Sequence, residues 1–415
     1  MQQKKLLVVI GGGAAGFFCA INAARLHPEL SVMLLEKTSK LLSKVKVSGG
    51  GRCNVTHACF SISEMIKKYP RGASFLKKSF HHFFTTDTIT WFEQRGVALK
   101  TEADGRMFPK SNVSQTVIDC MLAEAEKYNV AIKMNADVKE LLAVNSKMPG
   151  SHNFVLTLAD KTTLEADYLC IASGGYAKSE QFEWLTKMGH TIQPPVPSLF
   201  TFNIPQDPVT ALMGISVENV AVKITGTKLQ QTGPLLITHW GMSGPAILKL
   251  SAWAARELSN NNYHFKIQVN WVAAYNENSL KDKFQQVRFD IASQKIINRN
   301  PFLIPSRLWE YFLQQCGIDA NSRWADLPAK EQNKLIKILC AQEFSVKGKT
   351  TFKEEFVTAG GIQLSEVDAN SMQSKIQPNL FFAGEVLDID GVTGGFNFQN
   401  AWTTGWIAAS SIGKC

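Results

Sequence analysis

KKLLVVIGGGAAGFFCAINAARLHPELSVMLLEK, residues 4–37, decides how this chain folds. Residues 4–10 read as a short buried strand, Ala14 to Leu26 as a helix stopped near Pro28, and Ser31 to Lys37 as a second buried strand. A strand, a glycine-rich turn, a helix and a strand in that order make one right-handed crossover of a parallel sheet. The turn, Gly11 to Gly16, has GxGxxG spacing. Its first glycine permits the tight turn, its second lets a pyrophosphate approach the backbone, and its third lets the helix pack on the sheet. The free N–H groups and partial positive charge of the helix N-terminus, at Ala14 and Ala15, then face the phosphates. Glu36 lies twenty positions beyond Gly16, at the end of the second strand, where a carboxylate binds a ribose diol, and Lys37 follows it. The stretch predicts a Rossmann-type dinucleotide site.

Downstream, Ser114 to Tyr128 reads as an amphipathic helix, with strands at Val130 to Met134 and Val138 to Val144. NFVLTLAD and TTLEADYLCIASGG give further strands, the last ending at Gly174 and Gly175. Pro194, Pro195 and Pro197 mark a linker. Residues 198–272 alternate in the manner of antiparallel strands, whereas 276–345 carry amphipathic helical runs such as LWEYFLQQCG. The end of the chain returns to α/β character, with NLFFAGEVLDIDG as a buried strand and turn and FNFQNAWTTGWIAASSIG as a closing helix. The expected organisation is a dinucleotide-binding domain from 1–196 and 357–415, a β-barrel-like insert from 197–274 and 346–356, and a helical insert at 275–345.

Two more motifs bear on the ligand. In Ser48-Gly49-Gly50-Gly51-Arg52-Cys53-Asn54, three successive glycines leave no side chain between backbone and a flat ring. The continuation puts a cation, a thiol and an amide on one turn. Near the other end, Gly384 and Glu385 follow an apolar strand, and Gly394, Gly395, Phe396 and Asn397 open the last helix. This has the form of the second flavin contact of two-dinucleotide-type flavoproteins, where a positive helix end stabilises a reduced ring. Together with the first motif it points to FAD rather than NAD as the resident cofactor. Val138 and Gly174 are the remaining candidate contacts.

Composition sets the limits. At 415 residues, 45% hydrophobic and 19% charged, the chain reads as a globular protein of more than one core. The apolar run before Gly11 is shorter than a signal peptide requires, and no stretch approaches the ~20 residues of a membrane span, so a cytoplasmic protein without membrane contact is expected. Cys19, Cys53, Cys59, Cys120, Cys170, Cys316, Cys340 and Cys415 are scattered without a CxxC pair, which suggests neither a disulfide framework nor a metal site. The net charge of +9 is concentrated: residues 37–110 hold fourteen Lys or Arg against five Asp or Glu. Lys67, Lys68, Arg71, Lys77 and Lys78 lie there among aromatics and histidines, a surface that attracts polyanions.

SGGGRCN, GRMFP (105–109), ASGG (172–175), THWGMSGPAIL (238–248), TAGG (358–361) and AGEVLDIDGVTGGFNFQNAW (383–402) together resemble the BaiN/RdsA-like family of NAD(P)/FAD-dependent oxidoreductases, over essentially the whole chain. The resemblance implies a glutathione-reductase-like FAD domain interrupted by a small β-barrel and a helical insert. It also implies two substrate classes: the C5=C6 bond of a uridine in 23S ribosomal RNA, reduced to dihydrouridine, or a C=C bond of a steroid-like small molecule. His57 (for asparagine), Ser173 (for threonine) and Phe396 (for tyrosine) depart from the family pattern.

Both reductions need a hydride from the flavin and a proton from an acid. Cys53, beside Arg52, is the first candidate acid because a nearby cation acidifies a thiol, and His239 is the second. Arg106 and Lys110 are candidates for gripping a substrate anion, and Phe75, Phe80 and Phe83 for holding a base. No second GxGxxG unit is found, so NAD(P)H is expected to visit the flavin transiently. The leading expectation is an enzyme reducing uridine in ribosomal RNA. The alternatives are a small-molecule ene-reductase and a flavin redox sensor without turnover.

Overall fold

The structure, a computed structural model, describes residues 4–144, 152–351 and 357–414. The chain forms two compact units, Met1–Ser198 with Phe352–Cys415, and Leu199–Thr351. The expected insert boundary at 356/357 falls at the edge of residues outside those described.

The first unit is built on a five-stranded parallel sheet. Its strands are β1 (Leu6–Ile10), β2 (Ser31–Leu35), β3 (Ala131–Lys133), β4 (Tyr168–Ile171) and β5 (Leu380–Phe382), in the order β5-β4-β1-β2-β3. β1 and β4 run as uninterrupted apolar segments because both of their faces are covered. Helix α1 (Ala14–Leu26) joins β1 to β2, α2 (Gln115–Lys127) precedes β3, and α3 (Phe396–Ser411) closes the chain. A Cβ at Gly405 of α3 would lie 2.8 Å from the Ala15 carbonyl oxygen, so this glycine lets α3 settle directly against α1. Two antiparallel sheets flank the core: Val138–Ala143, Phe154–Leu158 and Thr163–Ala166 form one, and Thr56–His57, Arg106–Pro109 and Leu99–Thr101 the other.

The proline-rich stretch is not a free linker. Ile192–Pro197 pairs antiparallel with Thr358–Ile362, and the register skips from Gln193 to Val196. Pro194 and Pro195 fill the skipped positions, because proline has no N–H to give to a ladder.

In the second unit seven strands form one antiparallel sheet whose outermost members, Gln342–Lys347 and Lys349–Thr350, are consecutive in the chain. The two edges are therefore drawn together at Gly348, whose carbonyl accepts from the Asn203 N–H at 3.1 Å. Helices Pro245–Trp253 and Ala255–Asn260 stand within the stretch whose alternation suggests antiparallel strands; Pro245 stands in the first helical turn, where its missing N–H costs nothing. Helices Glu277–Asp290, Ser306–Cys316 and Ala329–Ala341 share one core with the sheet, centred on Trp271, Trp309, Phe312 and Trp324. Among the described residues no helix is long and apolar enough to cross a membrane.

Candidate functional site

The first glycine turn has the geometry its spacing demands. Gly11 donates to the Leu35 carbonyl at 2.8 Å, tying the end of β1 to β2. A Cβ on Gly16 would lie 1.9 Å from the Gly11 oxygen, so only glycine lets α1 start this close to the strand. A Cβ on Gly13, by contrast, would meet nothing within 4 Å. Gly13 caps α1, Ala14 and Ala15 follow, and the first turn carries no acidic residue to oppose an anion. Glu36 accepts from the Gly12 N–H at 2.8 Å through Oε2 and from the Thr38 N–H at 2.9 Å through Oε1. The carboxylate is thereby fixed beside the turn. Lys37 places its ammonium 5.5 Å from the Tyr176 ring centre, and half-buried Val138 opens the neighbouring antiparallel sheet.

The second turn breaks the helical run Ser43–Gly51. Ser48 is extended, and Gly49, Gly50 and Gly51 all have positive φ, at 58°, 70° and 82°. Cβ atoms at Gly50 and Gly51 would again meet nothing within 4 Å. The turn is held from α2, since the Ser114 N–H donates to the Gly51 carbonyl at 2.9 Å and its hydroxyl to the Lys46 carbonyl at 2.8 Å.

Here the chemistry departs from expectation. Arg52 turns away from Cys53, donates to Glu102 at 2.6 Å and lies over the Phe108 ring at 4.0 Å. Cys53 is 0% exposed, and burial pushes its thiol up to about 12, with only the hydrogen bond to Ser48 opposing. The cation that was to acidify the thiol is thus spent on a carboxylate. Arg106 likewise pairs with Asp104 at 2.6 Å and with Glu102, whereas Lys110 is exposed. Phe75, Phe80 and Phe83 are buried, and Phe80 packs on Tyr69 and Phe84, so these rings belong to the core. His239 is exposed in the second unit, its ring edge-on to Trp240, at the turn between strands Gln230–Thr238 and Gly241–Ser243.

The third turn brings the two ends of the chain together. Gly395 caps α3, and a Cβ there would lie 2.6 Å from the Thr56 carbonyl. With its amide oriented to satisfy its neighbours, Asn54 accepts from the Gly395 N–H and donates to the Thr56 carbonyl, both at 2.9 Å. His57 Nδ1 donates to the Gly394 carbonyl at 3.0 Å, and its ring lies 4.6 Å from that of Phe396. Asn397 bonds the Gly391 backbone in both directions, and the Tyr69 hydroxyl donates to the Phe396 carbonyl at 2.7 Å. Upstream, Gly384 donates to Thr404 Oγ1 at 2.8 Å. Glu385 accepts from the Thr358 N–H at 2.8 Å and pairs with Lys44 at 2.6 Å.

Asp390, fully buried, is held by two donors of Arg71 and by the Ser198 hydroxyl. Burial pushes its carboxyl above the ordinary value, and the Arg71 charge and the Ser198 bond hold it back. Lys44, Glu102 and the Arg71–Asp390 pair were not singled out from sequence. Each is one half of a contact with a residue far along the chain, which a single sequence does not display.

These turns fit a bound dinucleotide. Gly13, Gly50, Gly51 and Gly174 leave open space where side chains would stand, and the buried Thr358 Oγ1, close to Gly175, has no hydrogen-bond partner among the described residues. Among those residues, no group of three or more His, Cys, Asp or Glu is placed to hold a metal ion.

Fold and site together define a Rossmann-type dinucleotide-binding protein. More particularly, the chain belongs to the family described as HI0933-like protein Rossmann domain, whose model matches residues 5–411. It is similar to the ribosomal RNA dihydrouridine synthase of Escherichia coli (strain K12), at 28% identity, the match covering 96% of this chain and 95% of the relative. It is also similar to the 3-dehydro-bile acid delta(4,6)-reductase of Clostridium scindens, at 26% identity over 96% of this chain and 97% of that one. Among solved structures, the open conformation of a flavocytochrome c3 fumarate reductase matches with a TM-score of 0.51 at 15% identity, over 99% of this chain and 78% of that one, a likeness of fold.

Proposed function

We propose that this protein is an FAD-dependent reductase that adds hydrogen across the C5=C6 bond of a uridine in ribosomal RNA, with NAD(P)H as electron source. The balance is simple: NAD(P)H gives up a hydride, the two base carbons gain one hydride and one proton, and dihydrouridine and NAD(P)+ result. FAD supplies the hydride-transfer chemistry that no side chain offers. The open space at Gly13 and the start of α1 suit its pyrophosphate, and Glu36 suits its ribose. The turns at Gly50–Gly51 and Gly394–Gly395 suit its ring, and the start of α3 favours negative charge there. Proton delivery falls to an exposed acid. Cys53, which is fully buried, does not meet that condition.

The observation that carries the RNA reading is a set of exposed lysines outside the ion pairs of the segment. Lys44, Arg52, Lys67, Arg71, Arg95 and Arg106 of segment 37–110 are ion-paired. Lys68, Lys77 and Lys78 are exposed, make no ion pair with a described residue, and stand beside exposed His81 and His82. Such a surface favours a polyanion over an apolar small molecule. Mass spectrometry of digested ribosomal RNA from cells with and without the gene tests the reading. Dihydrouridine lost on deletion and restored by purified protein with NAD(P)H is the expected result; unchanged dihydrouridine overturns it. The likeness to the bile-acid reductase supports a second reading, reduction of a small-molecule enone, which predicts turnover of an enone with no change in RNA.

A further inference from the structure

A cavity of about 620 Å³ opens on the first unit between two segments distant in sequence. Pro70, Gly72 and Lys78 line one wall, and Leu364, Asp368 and Lys375 the other. The walls are fixed to each other at their far end. The Ser79 hydroxyl donates to the Ala369 carbonyl at 3.0 Å, and His82 Nε2 meets Asn370 Oδ1 at 3.2 Å.

The charge in the groove is mostly positive. Lys78 is exposed and makes no ion pair with a described residue; exposed Lys375 donates to the Ser365 carbonyl at 2.9 Å, which leaves its charge unneutralised. Asp368 is the one carboxylate in the lining, and it accepts from the Asn370 N–H at 2.8 Å and the Asn370 amide at 3.2 Å, turned into its own loop. Lys77, next to Lys78 in the chain, is also exposed.

The near wall is also a wall of the flavin turn. Arg71 grips Asp390, the Tyr69 hydroxyl bonds the Phe396 carbonyl, and a Cβ on Gly72 would lie 2.6 Å from Ile389. A strand lying in the groove is thus held one residue layer from the loop that opens α3. A base that must leave its stack to be reduced needs its flanking nucleotides anchored close by. Lysines act on phosphate as point charges, tolerant of sequence and backbone angle. The cavity is of the size that takes a nucleotide-scale ligand.

We propose that this groove, between residues 70–78 and 364–375, seats the phosphodiester backbone of single-stranded RNA flanking the reduced uridine, with Lys78 and Lys375 as its phosphate contacts. The inference rests on the RNA reading above.

The test is equilibrium binding of a ribosomal RNA fragment to the FAD-loaded protein across a range of salt, for wild type, the double variant Lys78→Glu/Lys375→Glu, and Lys337→Glu, an exposed site in the second unit. The double variant is expected to bind on the order of tenfold more weakly, with its salt slope reduced by about 1–2. Its rate of flavin reduction by NAD(P)H, which also reports a folded and loaded enzyme, stays at the wild-type value, as does RNA binding by Lys337→Glu. Salt-dependent wild-type binding that the double variant keeps overturns the groove but leaves the RNA reading standing. A raised KM for NAD(P)H with unchanged RNA affinity also overturns it, giving the groove to the dinucleotide. If wild type shows no salt-dependent RNA binding, both fall.

Discussion

Arg71 grips the Asp390 carboxylate through two nitrogen donors across a separation of 319 residues, and Ser198 completes the grip from a third segment. The carboxylate has no exposed surface, so its charge is tolerable only while Arg71 is present. The segment before the helix Ala73–Ser79, the turn that precedes α3 and the end of the first stretch of the first unit are joined at this one carboxylate.

Removing the guanidinium tests that dependence. Arg71→Met is expected to lose about 3–5 kcal/mol in chemical denaturation at neutral pH. Burial already pushes the Asp390 carboxyl up, and without Arg71 it rises further. A raised acid favours the protonated folded state, so the deficit should shrink as pH falls from 7 towards 5. A deficit that is constant with pH would show that Arg71 acts through packing alone.

Cys53 offers a sharp negative. With its thiol pushed up to about 12, it stays protonated from pH 6 to 9 and is closed to alkylating reagents. Cys53→Ala should retain FAD and reduce substrate within about threefold of wild type, with the same pH profile. A loss of a hundredfold or more in a variant that still holds FAD would restore the thiol as the acid.

Two alanine substitutions in one turn should fail in different ways. Gly16→Ala drives a Cβ to 1.9 Å from the Gly11 oxygen and is expected to cost about 1–3 kcal/mol or more of stability. Gly13→Ala has ordinary φ and open space, so stability of the FAD-free protein should hold while FAD affinity falls on the order of tenfold. Thermal unfolding and FAD titration, run on both, separate the outcomes. Unchanged FAD affinity in Gly13→Ala would remove the pyrophosphate from this turn.

Buried His190 lies between Glu366, 3.1 Å from Nδ1, and the Ser374 hydroxyl, 3.1 Å from Nε2. Burial pushes it below the ordinary 6.5, with Glu366 opposing. The fold thus prefers the neutral ring, and this contribution is complete above the ordinary value and lost as pH falls below it. Wild-type stability should decline between pH 7 and 5.5, and that part of the decline should be absent in His190→Gln. Parallel curves would exclude His190 as the source.

How much of this the sequence displayed depends on the reach of each interaction. The first crossover was readable because strand periodicity, glycine spacing and Glu36 all lie within 34 residues. The closing helix was read from Phe396 and is found as Phe396–Ser411, since an apolar helix after a glycine pair carries its own boundary. The unread features are those that depend on a distant partner. Whether Arg52 acidifies Cys53 turns on Glu102, fifty positions away, and whether Phe80 meets a base or the core turns on Tyr69 and Phe84 around it. Pro194 and Pro195 signal a break, but the partner strand Thr358–Ile362, which tolerates that break as a skipped register, lies more than 150 residues on.

The joining of Asn54 to Gly395 and of His57 to Gly394 has a consequence for biosynthesis. A chain grows from its N-terminus, so the turn at Gly11–Gly16 is made before the turn at Gly394–Gly395 and before edge strand β5. A nascent chain halted before Leu380 therefore has an unpaired β4 edge and lacks the partners of Asn54 and His57. A truncated product is therefore expected to expose that edge to other chains and to aggregate instead of persisting as a weakened enzyme.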